Sequence, residues 1–365
     1  MKVMLIAPVL GFAMKNYVES IAVALKQYND DIELVLVVPA HFEDRYVIES
    51  KLKITIIKMP APVEKLKRGM YYFNPVAQHA LLSMLQNTYP DIVHVVNGDG
   101  YLINVLLRKY FPNHPLLLTI HDPYPHPYDY IGYINYFIRN CFVIKNFDGI
   151  HIHNQCFENQ VKARLSSEQR VFVVPHGSFA HYYNKYDTSH IQKENSILFF
   201  GRLEYYKGID VLVDAAIKLT NEMNFNTKII IAGPGKLSSD LYAKIQKYRD
   251  IFELNNKFLA DYEIAILFKK SSVTVLPYRQ VTQSSLPSIA IAFGHKIIAS
   301  NAGAFQEEIP RLGGILVNPG SVEDLACAMY KATHAPPTVV SSDIYNWGTI
   351  ANAFRMIYSD LIVHK

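Results

Sequence analysis

Short apolar runs separated by stretches of helical period set the pattern of this chain. In its first half the runs cover residues 3–7, 32–39, 54–59, 92–96, 116–120, 149–153 and 171–174. Runs this short and this apolar alternating with helical segments predict βαβ units around a mostly parallel sheet. A second series begins at Ile197 and continues near 228–232, 273–276, 296–299 and 314–317, so two Rossmann-like domains are expected. Residues 175–187, Pro-His-Gly-Ser-Phe-Ala-His-Tyr-Tyr-Asn-Lys-Tyr-Asp, are polar, aromatic and aperiodic. They read as a connection, with the boundary between 180 and 195. From Ile350 to Ile362 the period is helical again.

Composition narrows the class. The 365 residues are 50% hydrophobic and 19% charged, a globular balance with enough chain for two α/β domains. Net charge is only +4, too mild to argue for nucleic acid. Cys141, Cys156 and Cys327 lack Cys-x2-Cys spacing, so no zinc site or disulfide framework is expected, and they read as buried small hydrophobes. The first strand begins at Lys2 without a leader pattern, and no apolar run approaches the roughly 20 residues of a membrane span. A cytoplasmic protein is expected.

Two segments carry the chemistry. Residues 197–208, Ile-Leu-Phe-Phe-Gly-Arg-Leu-Glu-Tyr-Tyr-Lys-Gly, run a strand into a turn bearing Arg202 and Lys207. Residues 276–294 run another strand through Thr282-Gln283-Ser284-Ser285 into a helix with Pro287 in its first turn. A planar guanidinium and a compact ammonium together neutralise much of a diphosphate's charge, glycine at 201 and 208 lets the backbone approach, and a small-polar loop at a helix start offers N–H and hydroxyl donors. An anion is expected there, with no metal and no cofactor needed.

These residues resemble the C-terminal domain of retaining glycosyltransferases of family 4. The shared pattern is Gly-Arg-Leu-x3-Lys-Gly-x-Asp-x-Leu followed by Leu-Pro-Tyr and Ala-x-Ala-x-Gly, and it extends through residues 229–235, 256–261, 298–303 and 314–320. The resemblance implies the GT-B arrangement: an N-terminal Rossmann-like domain over 1–180 on the acceptor side, a nucleotide-sugar domain over 190–347, a helix at 348–365 crossing back to the first, and a site in the cleft between them. It also implies transfer of a sugar from a nucleoside-diphosphate donor with retention of configuration, in surface polysaccharide or glycolipid synthesis. Two alternatives stay open: a non-catalytic sugar-nucleotide-binding relative, or another enzyme of the same fold, such as a sugar-nucleotide epimerase or a phosphorylase. One departure stands out. Where family members carry Glu-x7-Glu, this chain has Val281 and Ile289. Gln283 and Ser284 are read as substitutes.

By the same resemblance Gly201, Gly233, Gly235, Phe258, Thr282, Gln283, Ser284 and Ser285 are donor-side residues, with Gly11 after the first strand. His121, in the proline-rich loop Thr119-Ile-His-Asp-Pro-Tyr-Pro-His-Pro127, is assigned to the transferred sugar beside Arg202 and Lys207. The residues alone equally allow a His121 satisfied by a backbone carbonyl and an Asp122 serving the turn. Asn97, Asp122 and His126 are placed on the acceptor side, where a glycan or lipid-linked acceptor is expected. Residues 65–73 and 128–142 interleave basic and aromatic side chains, a composition suited to anionic lipid headgroups and equally to ordinary packing.

Overall fold

The computed structural model describes residues 1–8, 12–42, 51–60, 65–97, 102–125, 130–223, 225–335 and 343–365, the side chains of 12, 13, 65, 66, 68 and 131 excepted. Gly11 and His126 lie outside the described residues. The chain forms two compact units, Met1–Gly177 with Ile344–Lys365, and Ser178–Asp343.

Unit 1 holds a parallel seven-stranded sheet in the order β3-β2-β1-β4-β5-β6-β7. Its strands are β1 (Lys2–Ile6), β2 (Glu33–Pro39), β3 (Ile54–Met59), β4 (Ile92–Val95), β5 (Leu116–Ile120), β6 (Gly149–Ile152) and β7 (Arg170–Val173). Each apolar run of the sequence became one of them, within a residue or so at its ends. The central strands are covered on both faces, as helices on either side of a parallel sheet require: Val3, Met4, Leu5, Ile6 and Leu116 to Leu118 are fully buried. Helices Lys65–Phe73, Pro75–Gln86, Leu102–Tyr110 and Tyr130–Ile138 occupy the crossovers from β3 through β6. All these crossovers run in one direction along the sheet, so right-handed connection puts them on one face. Helix Phe12–Tyr28 connects in the opposite direction and packs on the last helix, Trp347–Val363. That last helix is tied into unit 1 by Arg355, whose guanidinium donates to both Asp31 oxygens at 2.9–3.1 Å, and by the Lys365–Asp148 pair at 2.7 Å.

Unit 2 holds a parallel six-stranded sheet, β10-β9-β8-β11-β12-β13. Its strands are β8 (Ile197–Phe200), β9 (Ile229–Ala232), β10 (Phe252–Asn255), β11 (Val273–Leu276), β12 (Lys296–Ser300) and β13 (Ile315–Val317). Ile229, Ile230 and Ile231 have no exposed surface, each contributing about 1.5–3 kcal/mol of transfer free energy. β10 has no counterpart among the apolar runs. Its sequence, Phe-Glu-Leu-Asn, sits at the sheet edge, where only one face must be apolar.

The units divide at 177/178, upstream of the 180–195 window. His176 packs its ring on Trp347 of the last helix, at 6.3 Å between centroids, and so stays with unit 1. The following segment turns into a short helix, Ala180–Asn184, whose Tyr183 stacks on Phe268 of unit 2 at 6.4 Å and 16°. The expectation of buried cysteines is wrong: Cys141, Cys156 and Cys327 are all exposed. In helix Val322–His334 the buried positions are 325, 326, 328, 329 and 332, and Cys327 falls on the opposite side with Glu323 and Lys331. Apolar character alone did not fix helical phase.

Candidate active site

In a doubly wound sheet the strand order reverses at one point, and the strands' carboxyl ends part there to leave a crevice for ligand. In unit 2 that point lies between β8 and β11. The two segments singled out in the sequence are the loops that leave these two strands.

The turn after β8 is built by backbone constraint. Gly208 sits at φ +69°, and a Cβ there would run into the Pro277 carbonyl oxygen, so the turn at 205–208 lies directly against the exit of β11. Gly233, at φ +135°, lets the β9 exit press on the Gly201 carbonyl in the same way. Arg279 locks the arrangement. Its guanidinium donates in parallel to the Asp210 carboxylate at 2.9 and 2.7 Å and to the Tyr205 carbonyl at 2.9 Å, and its backbone N–H donates to the Tyr206 carbonyl at 2.7 Å. Gly208→Val should therefore cost more than about 3 kcal/mol, from left-handed strain plus the clash. A denaturant midpoint for unit 2 within error of the wild type would refute the close approach.

This frame presents Lys207. Its ammonium lies over Gly201, donates to Tyr278 Oη at 2.8 Å and stands 4.1 Å from the centre of the Tyr278 ring. Burial first, and then the nearby Arg202 charge, push Lys207 down to about 7, with Glu204 acting in the opposite sense. Burial pushes the Tyr278 phenol well up, so it stays a neutral acceptor. Arg202 is exposed, 62% at its side chain, and pairs with Glu204 at 2.9 Å. An ion pair so open to water is worth little, and its guanidinium is available to a stronger anion.

The loop after β11 completes this side. Val281 and Ile289 are buried and carry no polar side-chain group. Thr282 is buried, and Ser284 Oγ accepts from the Leu286 N–H at 3.3 Å at the start of helix Leu286–Ala292. Gln283 Nε2 is buried and, among the described residues, has no hydrogen-bond partner. A buried amide donor left unmade costs about 1–3 kcal/mol, so Nε2, in the loop that leaves β11, is a group awaiting an acceptor. Gly235 donates its N–H to Asn256 Oδ1 at 3.1 Å, and Phe258 is 86% exposed just beyond β10.

In unit 1, His121 directly follows β5 within a histidine cluster that the sequence pattern did not disclose. Its Nε2–H donates to the Val96 carbonyl at 2.8 Å, and its Nδ1 lies 2.9 Å from Nε2 of His153, whose Nδ1 faces the Val174 carbonyl at 3.2 Å. A second chain runs beneath it. His151 Nε2–H donates to the Val174 carbonyl at 3.0 Å and Nδ1 accepts from the Thr119 hydroxyl at 2.9 Å. Thr119 in turn accepts from His94 Nε2–H at 2.7 Å, and His94 Nδ1 accepts from the Tyr358 hydroxyl at 2.7 Å. Neutral imidazoles satisfy this second chain throughout. Burial accordingly pushes His94 and His153 far down and holds His151 and His176 at about 3. Tyr17 packs its ring edge-on to His121 at 4.8 Å and against His153 and His176. Among the described residues no group of His, Cys, Asp or Glu is arranged to hold a metal ion.

Both ring nitrogens of His121 are thus engaged inside unit 1, one of them by a backbone carbonyl. The Asp122 side chain is exposed and its carbonyl accepts from Arg139 at 3.0 Å, while Asn97 is buried after β4. The cluster left a faint trace in the sequence: His94, His151 and His153 fall within or at the end of otherwise apolar strand runs, where a polar residue needs internal partners.

Two Rossmann-like units of parallel strands make this a GT-B type chain, and residues 194–334, most of unit 2, match the family described as glycosyl transferases group 1. Among curated relatives, an uncharacterized glycosyltransferase of Methanocaldococcus jannaschii is 27% identical over 180 residues. That match spans 45% of each chain, about half the length of the relative. Among solved structures, the sucrose-phosphate synthase of Thermosynechococcus elongatus superposes with a TM-score of 0.70 at 16% identity over the whole of both chains. HepE of Anabaena in complex with UDP gives 0.67 at 16% identity over 99% of this chain and 100% of that one. The same protein with UDP-glucose gives 0.62 at 15%, over 99% and 98%.

Proposed function

We propose that this chain is a glycosyltransferase that moves a sugar from a nucleoside-diphosphate donor to an acceptor hydroxyl with retention of configuration, in the synthesis of a surface polysaccharide or glycolipid. The observation that carries the reading is the crowding of Lys207 and Arg202 at the reversal point of the unit 2 sheet, where the loop leaving β11 also carries the unsatisfied Gln283 amide. A site that holds two cations close enough to depress one of them gains most from a ligand with two negative phosphates. The match to group 1 glycosyl transferases and the UDP complexes of the Anabaena neighbour agree with it.

In this reaction the bond from the anomeric carbon to the diphosphate oxygen breaks, and charge grows on that oxygen. Lys207, fixed by Tyr278 before the donor arrives, and Arg202, recruited from Glu204, oppose the growing charge without reorganising at the moment of reaction. The new bond forms on the face the diphosphate leaves, and the departing phosphate oxygen takes the acceptor's proton. Val281 and Ile289 stand where a carboxylate pair would be expected, and Gln283 and Ser284 take over by holding the donor with neutral hydrogen bonds. His121 is assigned to orienting the sugar, with its ring orientation set by His153 and Val96.

Titration of UDP and GDP into the protein tests the donor grip through its protons. Lys207 titrates near 7 in the free protein, and a bound diphosphate raises it, so above pH 7 binding must take up a proton. Affinity should fall by up to about tenfold per pH unit from about 7 towards 10, with matching proton uptake in calorimetry across buffers of different ionisation enthalpy. Binding that is independent of pH would remove Lys207 from the diphosphate. Absence of binding by either nucleotide would remove the donor reading altogether.

A further inference from the structure

Four helical segments on one face of the unit 1 sheet carry charge of one sign, and the short helix Glu158–Lys162 beyond them pairs its Glu158 with Lys162. Helices Lys65–Phe73, Pro75–Gln86 and Leu102–Tyr110, and Tyr130–Ile138 with its continuation through Asn146, contain no Asp or Glu. The same segments carry Lys65, Lys67, Arg68, Arg108, Lys109, Arg139 and Lys145, in a chain whose overall balance is 36 basic to 32 acidic. They form one layer: helix Leu102–Tyr110 packs against the two helices before it and against the turns that follow Ile138. Arg108 is paired with Asp148 at 2.6 Å, and Arg139 is buried on the carbonyls of Asp122 and Pro123. Lys67, Lys109 and Lys145 remain exposed.

The same layer turns apolar side chains to solvent. Tyr130, Tyr133, Ile134 and Phe137, spaced i, i+3, i+4 and i+7, make one stripe of helix Tyr130–Ile138, and all are exposed, Tyr130 at 80% and Phe137 at 61%. Met70, Phe73 and Val76 do the same across the first two helices. The opposite side of helix Tyr130–Ile138 is anchored: Arg164 lies between the rings of Tyr124 and Tyr136, at 4.8 and 5.2 Å, and donates to Tyr124 Oη at 2.8 Å. Its outward stripe is therefore held outward, not waiting to fold in. Among the described residues no helix is long and apolar enough to cross a membrane.

From this we infer that this face of unit 1 docks on an anionic lipid bilayer. Aromatic rings at the headgroup level, lysines beside them and no carboxylate on the same helices are the pattern of an interfacial surface. A nucleic acid would not reward exposed Ile134 and Phe137, and a like copy of the same face would set lysine against lysine. The inference is independent of the donor site in unit 2. If both readings are right, the anchored helix delivers a lipid-borne acceptor to the loop that carries His121 and Asp122.

Flotation with phosphatidylglycerol–phosphatidylcholine vesicles against pure phosphatidylcholine vesicles tests it. The wild type should float with the anionic vesicles at least about tenfold better than with neutral ones, and lose that binding as salt is raised. Ile134→Ser with Phe137→Ser, and separately Lys109→Glu with Lys145→Glu, should each reduce binding about tenfold or more with unchanged circular dichroism and melting temperature. The inference fails if the wild type stays unbound with both vesicles, or if both variants float as the wild type does. It also fails if light scattering shows a dimer that Ile134→Ser with Phe137→Ser dissociates while no vesicle is bound, which would make the face a contact between copies of the chain.

Discussion

Lys207→Ala is expected to lower donor-dependent turnover by about 10²–10³-fold, the loss typical of one preorganised group facing developing charge. The change should fall on turnover more than on folding. The deleted ammonium is a partly buried charge whose described partner is a neutral phenol, so its removal relieves desolvation and the melting temperature should hold or rise. Lys207→Arg is not a rescue, because the cradle of Gly201 and the Tyr278 hydroxyl at 2.8 Å admits a compact ammonium and not a planar fork. Arg202→Ala should cost less, about tenfold, since its guanidinium is exposed and must leave Glu204 to act. Turnover of a nucleoside-diphosphate sugar by purified variants decides the matter: a Lys207→Ala protein as fast as the wild type would take Lys207 out of the reaction.

The second large effect concerns unit 1 and acid. His151 and His176 are held at about 3 by burial, against roughly 6.5 in the unfolded chain. Between those values the unfolded chain binds more protons, so the stability these groups contribute is complete above pH 6.5 and is lost as pH falls. At pH 5 each costs about 2 kcal/mol relative to pH 7, about 4 kcal/mol together, with His94 and His153 acting in the same direction. Unit 2 has one comparable group, His295 at about 4, among its described residues with a shifted histidine so deeply buried. Acidification should therefore open unit 1 first. Hydrogen exchange resolved by peptide at pH 7 and pH 5, corrected for intrinsic rates, reads this directly, and equal protection of the two units at pH 5 would refute it.

What the sequence revealed and what it hid divide along physical lines. Parallel strands buried on both faces leave contiguous apolar runs, so β1 to β9 and β11 to β13 were visible without alignment. β10 was not, because Phe-Glu-Leu-Asn at an edge satisfies one apolar face with alternate residues. The loops at 201–208 and 282–285 were legible because they combine glycines, cations and small polar residues in one stretch. Their mutual lock was not, since Arg279 and Asp210 are distant along the chain and meet only when β8 and β11 pair. The histidine cluster is hidden for the same reason: His94 comes from β4, His151 and His153 from β6 and the turn after it, and His176 from the segment after β7, and only the register that sets Thr119 opposite His151 joins them.

The way the chain returns to unit 1 has a consequence for biosynthesis. Unit 2 is a continuous stretch, 178–343, inserted into a unit whose helix Trp347–Val363 is translated after all of unit 2. That helix brings Phe354 against the rings of His94 and His151, and Tyr358 gives His94 its hydrogen bond. On the ribosome, unit 2 has all its strands before unit 1 can bury its histidines. The half synthesised first is the half completed last.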